Sequence, residues 1–194
     1  SAKPSEGKSL TAANIAISYA MLGKKVLLID ADMRKPTQRR LWRVEKPTGL
    51  CDFLAKISKL ELDKVKDLPL WIVCTGTIPP NPSELLSSER MKHFVEESAK
   101  VYDYIIIDTP PINTVADAQI VSTYVDGVVL VVKSGDTTED ELNEAIDAVR
   151  RAGGNLCGTV LNDLNMKSVK YAYKYKYGGK YGYKYSYSES YEAR

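Results

Sequence analysis

S-A-K-P-S-E-G-K-S at residues 1 to 9 runs directly into the helical pattern L-T-A-A-N-I-A-I-S-Y-A-M-L at 10 to 22, and this junction decides the fold. A glycine-bearing turn ahead of a helix can wrap successive backbone N–H groups around the phosphates of a nucleotide and hold them at the positive end of the helix dipole. The polar side chains that follow then complete the grip, the Lys8 ammonium meeting the β/γ oxygens and the Ser9 hydroxyl being offered to Mg2+. The bland alternative is an ordinary turn before a helix. A strand normally delivers the chain into such a loop, yet only a few residues precede this one. The expectation is therefore of a sequence shortened at its N-terminus, without a strand that would be central to the sheet.

Further along the chain, K-V-L-L-I-D (25 to 30), Y-I-I-I-D (104 to 108), G-V-V-L-V-V (127 to 132) and L-C-G-T-V-L (156 to 161) read as buried strands, because none alternates with polar residues. Helical patterns near 9 to 22, 84 to 99, 115 to 124 and 138 to 152 separate them. Strands alternating with helices give an α/β fold with a mostly parallel sheet flanked by helices, of the P-loop NTPase-like kind. Asp136, Thr137 and Thr138 before E-D-E-L make a helix start, and Gly153-Gly154 a stop. Two of the strands end in acids: V-L-L-I runs into D-A-D-M-R with Asp30 and Asp32, and Y-I-I-I into D-T-P-P with Asp108. Carboxylates at the C-terminal ends of parallel strands point into the crevice where α/β proteins bind ligands. Mg2+ takes one or two such hard oxygen ligands and keeps waters elsewhere. Taken singly, each acid could be a solvated strand end.

Composition narrows the classes. The chain has 194 residues, 44% hydrophobic and 27% charged, which suits a globular domain with its own core. It shows neither a membrane-length apolar run nor a signal segment, which implies a cytoplasmic protein. Cys51, Cys74 and Cys157 are widely spaced with no C-x-x-C, against a disulfide framework or zinc. The one histidine, His93, sits in the charged stretch R-M-K-H-F and reads as a surface residue rather than a triad member. The formal charge of +2 hides an asymmetry: residues 167 to 194 hold six Lys and one Arg against two Glu, or +5, leaving −3 for residues 1 to 166. Nine of the thirteen tyrosines lie there too. Two units are thus expected, a phosphate-loop domain at 1–166 and a tyrosine-rich tail at 167–194.

Together, S-A-K-P-S-E-G-K-S, L-L-I-D-A-D-M-R-K-P and I-I-I-D-T-P-P resemble the Walker A, A′ and B motifs of the bacterial tyrosine kinases that regulate capsule and exopolysaccharide synthesis. P-P-N-P-S-E-L-L at 79 to 86 and the tyrosine-rich C-terminus are similar to that family as well. The resemblance implies ATP and Mg2+ as cofactors, with Pro4, Ser5, Glu6, Gly7, Lys8, Ser9 and Leu10 around the nucleotide phosphates. It implies Ser9, Asp32 and Asp108 on or near the ion, the last two directly or through water. Asp30 would sit nearest the incoming tyrosine hydroxyl, and Lys8, Asp30 and Asp32 would carry the catalysis. Asn162, in T-V-L-N, matches a position that reads the adenine edge in related folds. Ser5 stands where a glycine is common, and would cost about 1 to 2 kcal/mol if the backbone there needs a positive φ. Arg34 and Lys35 either stabilise phosphoryl oxygens, pair with acids of a neighbouring subunit, or form a surface salt bridge.

The same resemblance implies Tyr171, Tyr173, Tyr175, Tyr177, Tyr181, Tyr183, Tyr185, Tyr187 and Tyr191 as phosphoacceptors, modified in trans within a homo-oligomeric ring. It further implies other protein-tyrosine substrates and a membrane-spanning adaptor as activator, hence a cytoplasmic protein at the inner face of the cell membrane. The family's E-x-x-R-x-x-R oligomerisation signature does not occur in the sequence. The tail has almost no aliphatic residues and reads first as disordered, with a hairpin about Gly178-Gly179 as rival. A nucleic-acid stacking surface is disfavoured, since the rest of the chain brings no matching basic face. Each phosphotyrosine adds roughly −1.5 to −2, enough to reverse the tail's charge. Two other functions stay open: a partition- or septum-site-type switch ATPase, because Lys3 lies four residues before Gly7 where those proteins carry a signature lysine, and a non-catalytic interaction module.

Overall fold

A computed structural model describes residues 1–165. The tail tyrosines, and the readings of residues 166 to 194 as disordered or hairpin, lie outside the described residues. The compact unit that holds the loop and the acids is Ser1–Asp163.

The first helix, α1 (Lys8–Met21), places Ala13, Ala16 and Ala20 on one buried stripe. Small side chains at that spacing let it lie close on the sheet. It stops at Gly23, which takes a positive φ of 78°. β1 (Val26–Asp30) follows and is buried along its whole length. Two short helices, α2 (Gln38–Trp42) and α3 (Leu50–Leu54), precede β2 (Asp63–Lys64) and β3 (Leu70–Val73). α4 (Pro82–Ser87) and α5 (Glu89–Ala99) lead into β4 (Tyr104–Asp108). α6 (Asp117–Ser122), β5 (Val128–Lys133), α7 (Glu139–Arg151) and β6 (Leu156–Asn162) complete the unit.

The four expected strands form where the apolar runs placed them. The sheet differs in two ways. β2 and β3 add an antiparallel pair beside β1, giving the order β2-β3-β1-β4, and among the described residues β5 pairs only with β6, in a separate parallel ladder. Residues of both β4 and β5 line two cavities of about 620 and 560 Å3. Ser1 lines both, and its carbonyl accepts a hydrogen bond from Ile112 N at 2.9 Å. Ile105, Ile106 and Ile107 are accordingly only half-buried, and β6, an outer strand, alternates between half-buried and exposed residues instead of being buried throughout.

The single helix expected over 84 to 99 is two. Ser88 adopts an extended backbone and its hydroxyl accepts from Met91 N at 3.2 Å, so it caps α5 and ends α4. At α7 the start falls on Thr138, whose hydroxyl accepts from Glu141 N while Glu141 Oε2 accepts from Thr138 N, a capping box. Gly153, at φ 79°, ends it. Leu27, Ile29 and Val73 face one apolar cluster, Val26, Leu28 and Ile72 pack against α1 on the other side, and a third cluster joins α7 to Leu130 and Ile112.

Candidate active site

β1 and β4 run parallel as neighbours with Asp30 opposite Asp108, so the strand register sets their two carboxylates side by side. Both lie beyond the same sheet end as the start of α1. Gly7 enters that helix at φ +87°, and Ser5 takes φ +66°. Left-handed residues alternating with right-handed ones curl successive N–H groups toward one centre, the form an anion-binding loop requires. The loop is held from outside. Glu6 is buried, accepts from Lys3 N at 3.0 Å and from the Thr137 hydroxyl, and so ties the loop to the turn before α7. Asn162 Nδ2 donates to Glu6 O at 3.0 Å, and a Cβ on Gly7 would collide with that amide.

Lys8 is the hub. Its Nζ lies 2.8 Å from Asp32 Oδ2, 3.4 Å from Asp108 Oδ1 and 3.1 Å from Ser9 Oγ. Burial alone would lower the ammonium's pKa, but Asp108 and Asp32 outweigh it and the value is raised. Asp32 Oδ1 accepts from Lys35 N at 2.9 Å, which orients that carboxylate. Asp30 is fully buried; its Oδ2 accepts from Gln38 N at 3.0 Å, while Oδ1 is buried without a hydrogen-bond partner among the described residues. Desolvation, and then the negative charge of Asp108, push its pKa up to about 7. The site thus holds one carboxylate that changes charge near neutrality beside two that hold a lysine.

A cleft of about 410 Å3 opens beside this cluster, lined by Pro4, Ser5, Gly7, Lys8, Ser9, Leu10 and Asp32, and also by Arg34, Lys35 and Arg40. The donor types suit Mg2+: Ser9 Oγ, Asp32 and Asp108 are hard oxygens, here gathered around Lys8 Nζ, and Asp30 Oδ1 is an acceptor left unfilled among the described residues. Among the described residues no group of three or more His, Cys, Asp or Glu could hold a metal unaided.

Of the residues named from sequence, Lys8, Ser9, Asp32 and Asp108 come together in this cluster and Pro4, Ser5, Gly7 and Leu10 line the cleft, whereas Asp30 lies fully buried outside that lining and the Glu6 side chain turns away to Lys3 N and Thr137. Asn162 sits behind the loop on Glu6 O. Arg34 donates twice to the buried Asp117, at 2.8 and 3.1 Å, and once to Ser83 Oγ at 3.3 Å, so it is engaged within its own chain. Lys3 is likewise engaged, with Glu141 Oε2 at 3.1 Å and Asp136 O at 2.9 Å. Sequence reasoning missed Gln38. Its Nε2 donates to both Ser9 O and Asp108 Oδ2 at 2.9 Å, and its Oε1 accepts from Trp42 Nε1 at 3.0 Å. A glutamine opening a five-residue helix carries no pattern that would single it out.

A left-handed loop at a helix start, with strand-end carboxylates on its lysine, defines a nucleotide-binding protein of the P-loop class. The family model described as "AAA domain" matches residues 2–155. Tyrosine-protein kinase YwqD of Bacillus subtilis (strain 168) is 45% identical over 176 residues, which cover 89% of this chain and 74% of that protein. Among solved structures, the kinase domain of the Escherichia coli tyrosine kinase ETK superposes with a TM-score of 0.83 at 32% identity, covering 94% of this chain and 70% of that one. The septum site-determining protein MinD from Pyrococcus horikoshii, complexed with Mg-ADP, shares the fold at TM-score 0.68 and 21% identity, over 82% of this chain and 66% of its own. The chain belongs to the bacterial tyrosine-protein kinases.

Proposed function

We propose that the chain transfers the γ-phosphoryl group of ATP to tyrosine hydroxyls, its own tail tyrosines among them, and in that way regulates capsular or exopolysaccharide synthesis. The observation that carries the reading is the meeting of Lys8, Ser9, Asp32 and Asp108 at one point, with the unpartnered Asp30 Oδ1 beside them. In the reaction, the tyrosine oxygen forms a bond to the γ-phosphorus, the bond from that phosphorus to the β,γ-bridging oxygen breaks, and ADP leaves. The phenol, with an ordinary pKa near 10, keeps its proton until that bond forms. Asp30 accepts it on Oδ1, which requires the hydroxyl to enter past the cleft wall, because that carboxyl is fully buried. A carboxyl at about 7 suits this role better than one near 4, since proton acceptance is most effective when the acceptor titrates near the working pH.

Lys8 and the loop N–H groups supply most of the acceleration, by stabilising charge on the transferred group. Ser9, Asp32 and Asp108 would hold Mg2+, which would supply positive charge to the phosphate oxygens. Asn162, on the far wall of the loop, is the candidate for the base edge. ATP and Mg2+ as the working pair, a ring of subunits acting in trans, an adaptor that activates it and a place at the inner face of the cell membrane are the further parts of this reading. No described helix is long and apolar enough to cross a membrane. The switch-ATPase reading has only a shared fold behind it, and its marker lysine, Lys3, is tied to Glu141.

Incubation with γ-labelled ATP and Mg2+, with the label mapped to residues, tests the proposal. Label on Tyr171 to Tyr191 is the expected result. Free phosphate with no labelled tyrosine would make it a switch ATPase, and neither product would make it a binding module.

A further inference from the structure

We infer that Gln38 is a positioning residue for phosphoryl transfer: a single side-chain amide fixes the metal-facing geometry of both Ser9 and Asp108. The inference rests on the nucleotide reading above. The Gln38 side chain is fully buried, and its hydrogen-bonding capacity is used in three directions. The two N–H groups of Nε2 reach Ser9 O and Asp108 Oδ2, each at 2.9 Å, so the backbone of one expected metal-facing residue and the carboxylate of another hang from the same nitrogen. Oε1 is anchored in turn by Trp42 Nε1 at 3.0 Å, which fixes the amide's orientation. The main-chain N–H of the same residue holds Asp30 Oδ2 at 3.0 Å.

This one residue therefore touches all three acidic and phosphate-binding motifs. Its importance grows when substrate is present. Phosphate oxygens compete for Lys8, which otherwise holds Asp108 Oδ1 at 3.4 Å, whereas the Gln38 bond to Oδ2 is on the opposite oxygen and stays. A neutral donor suits this place, since a cation would compete with the metal and a carboxylate would repel Asp108. Partners that orient metal-facing groups carry about 10- to 100-fold in metal affinity or activity.

The test is Gln38→Met, similar in length and without the amide, made in the full chain. ADP affinity is measured by calorimetry in Mg2+ and again in EDTA. The expected result is a loss of about tenfold or more in Mg2+ with affinity in EDTA within about twofold of wild type. A purely structural role would lower both alike. Equal losses in the two conditions, or no loss in Mg2+, would overturn the inference. Trp42→Phe keeps an aromatic ring and removes only the anchor; it is expected to show a smaller loss in the same Mg2+-specific sense, and decides the matter should Gln38→Met not fold. A wild-type protein that binds Mg-ADP but labels no tyrosine would defeat the kinase reading and leave these affinity differences to judge Gln38 separately.

Discussion

Asp30 combines two demands that oppose each other. A buried carboxyl with one bare oxygen is poised to accept a proton, and the same burial makes its ionised form costly. The sign of the resulting pH dependence follows from its raised pKa of about 7 against an ordinary value of 3.8. Between those two pH values the folded state holds a proton that the unfolded chain has released, so stability falls as pH rises from about 4 to about 7 and is level above. Asp30→Asn should flatten that slope and melt higher than wild type at pH 8 in thermal scans without nucleotide. The same substitution should cut turnover by roughly 100-fold while changing ATP affinity little, and the rising limb of kcat/KM near pH 7 should vanish with it. Equal losses in affinity and turnover would remove the proton-accepting role. At Ser5 the positive φ of 66° is borne by a residue with a Cβ. Ser5→Gly relieves about 1 to 2 kcal/mol of backbone strain, partly offset by about 1 kcal/mol of chain entropy, so the melting temperature should rise by a degree or two.

Arg34 ties together elements that the chain keeps far apart. It joins the loop after β1 to Asp117 at the start of α6, and Ser83 in α4 donates to that same carboxylate at 2.6 Å. Asp117 is fully buried and Arg34 partly exposed, so breaking the pair leaves a cation that can still reach water. Asp117→Asn should therefore cost about 2 kcal/mol rather than the larger value of a fully enclosed pair, a fall of about 4 to 8 °C in melting temperature. This pairing was not legible in the sequence, because D-A-Q-I-V-S looks like any helix opening with an acid and nothing local marks its partner. The four strands were legible, since continuous β-branched runs have few other uses. So were Asp30 and Asp108, by standing at the ends of those runs. β3 was hidden because L-W-I-V is four residues long and follows Pro69, and α2 and α3 because five residues show no helical period. Gln38 was lost with α2.

At the scale of the whole molecule, charge is divided between a body of −3 and a tail of +5. Replacing all nine tail tyrosines by Phe leaves that division intact and removes every tail acceptor; label incorporation should then drop to whatever Tyr19, Tyr102, Tyr104 and Tyr124 can take. Of these, Tyr124 is tied up, its hydroxyl donating to Leu86 O at 3.1 Å and its pKa pushed well up by burial, and Tyr19 and Tyr104 stack on one another at 3.9 Å. Unchanged labelling would place the acceptors elsewhere.

The division of the described strands into two ladders, β2-β3-β1-β4 and β5-β6, bears on how the described unit opens. Among the described residues no ladder bonds join the two, so opening the β5-β6 pair with α7 does not require breaking the four-stranded sheet. Backbone amides of Leu130 to Val132 should exchange with deuterium sooner than those of Leu27 to Ile29, as two separately opening blocks.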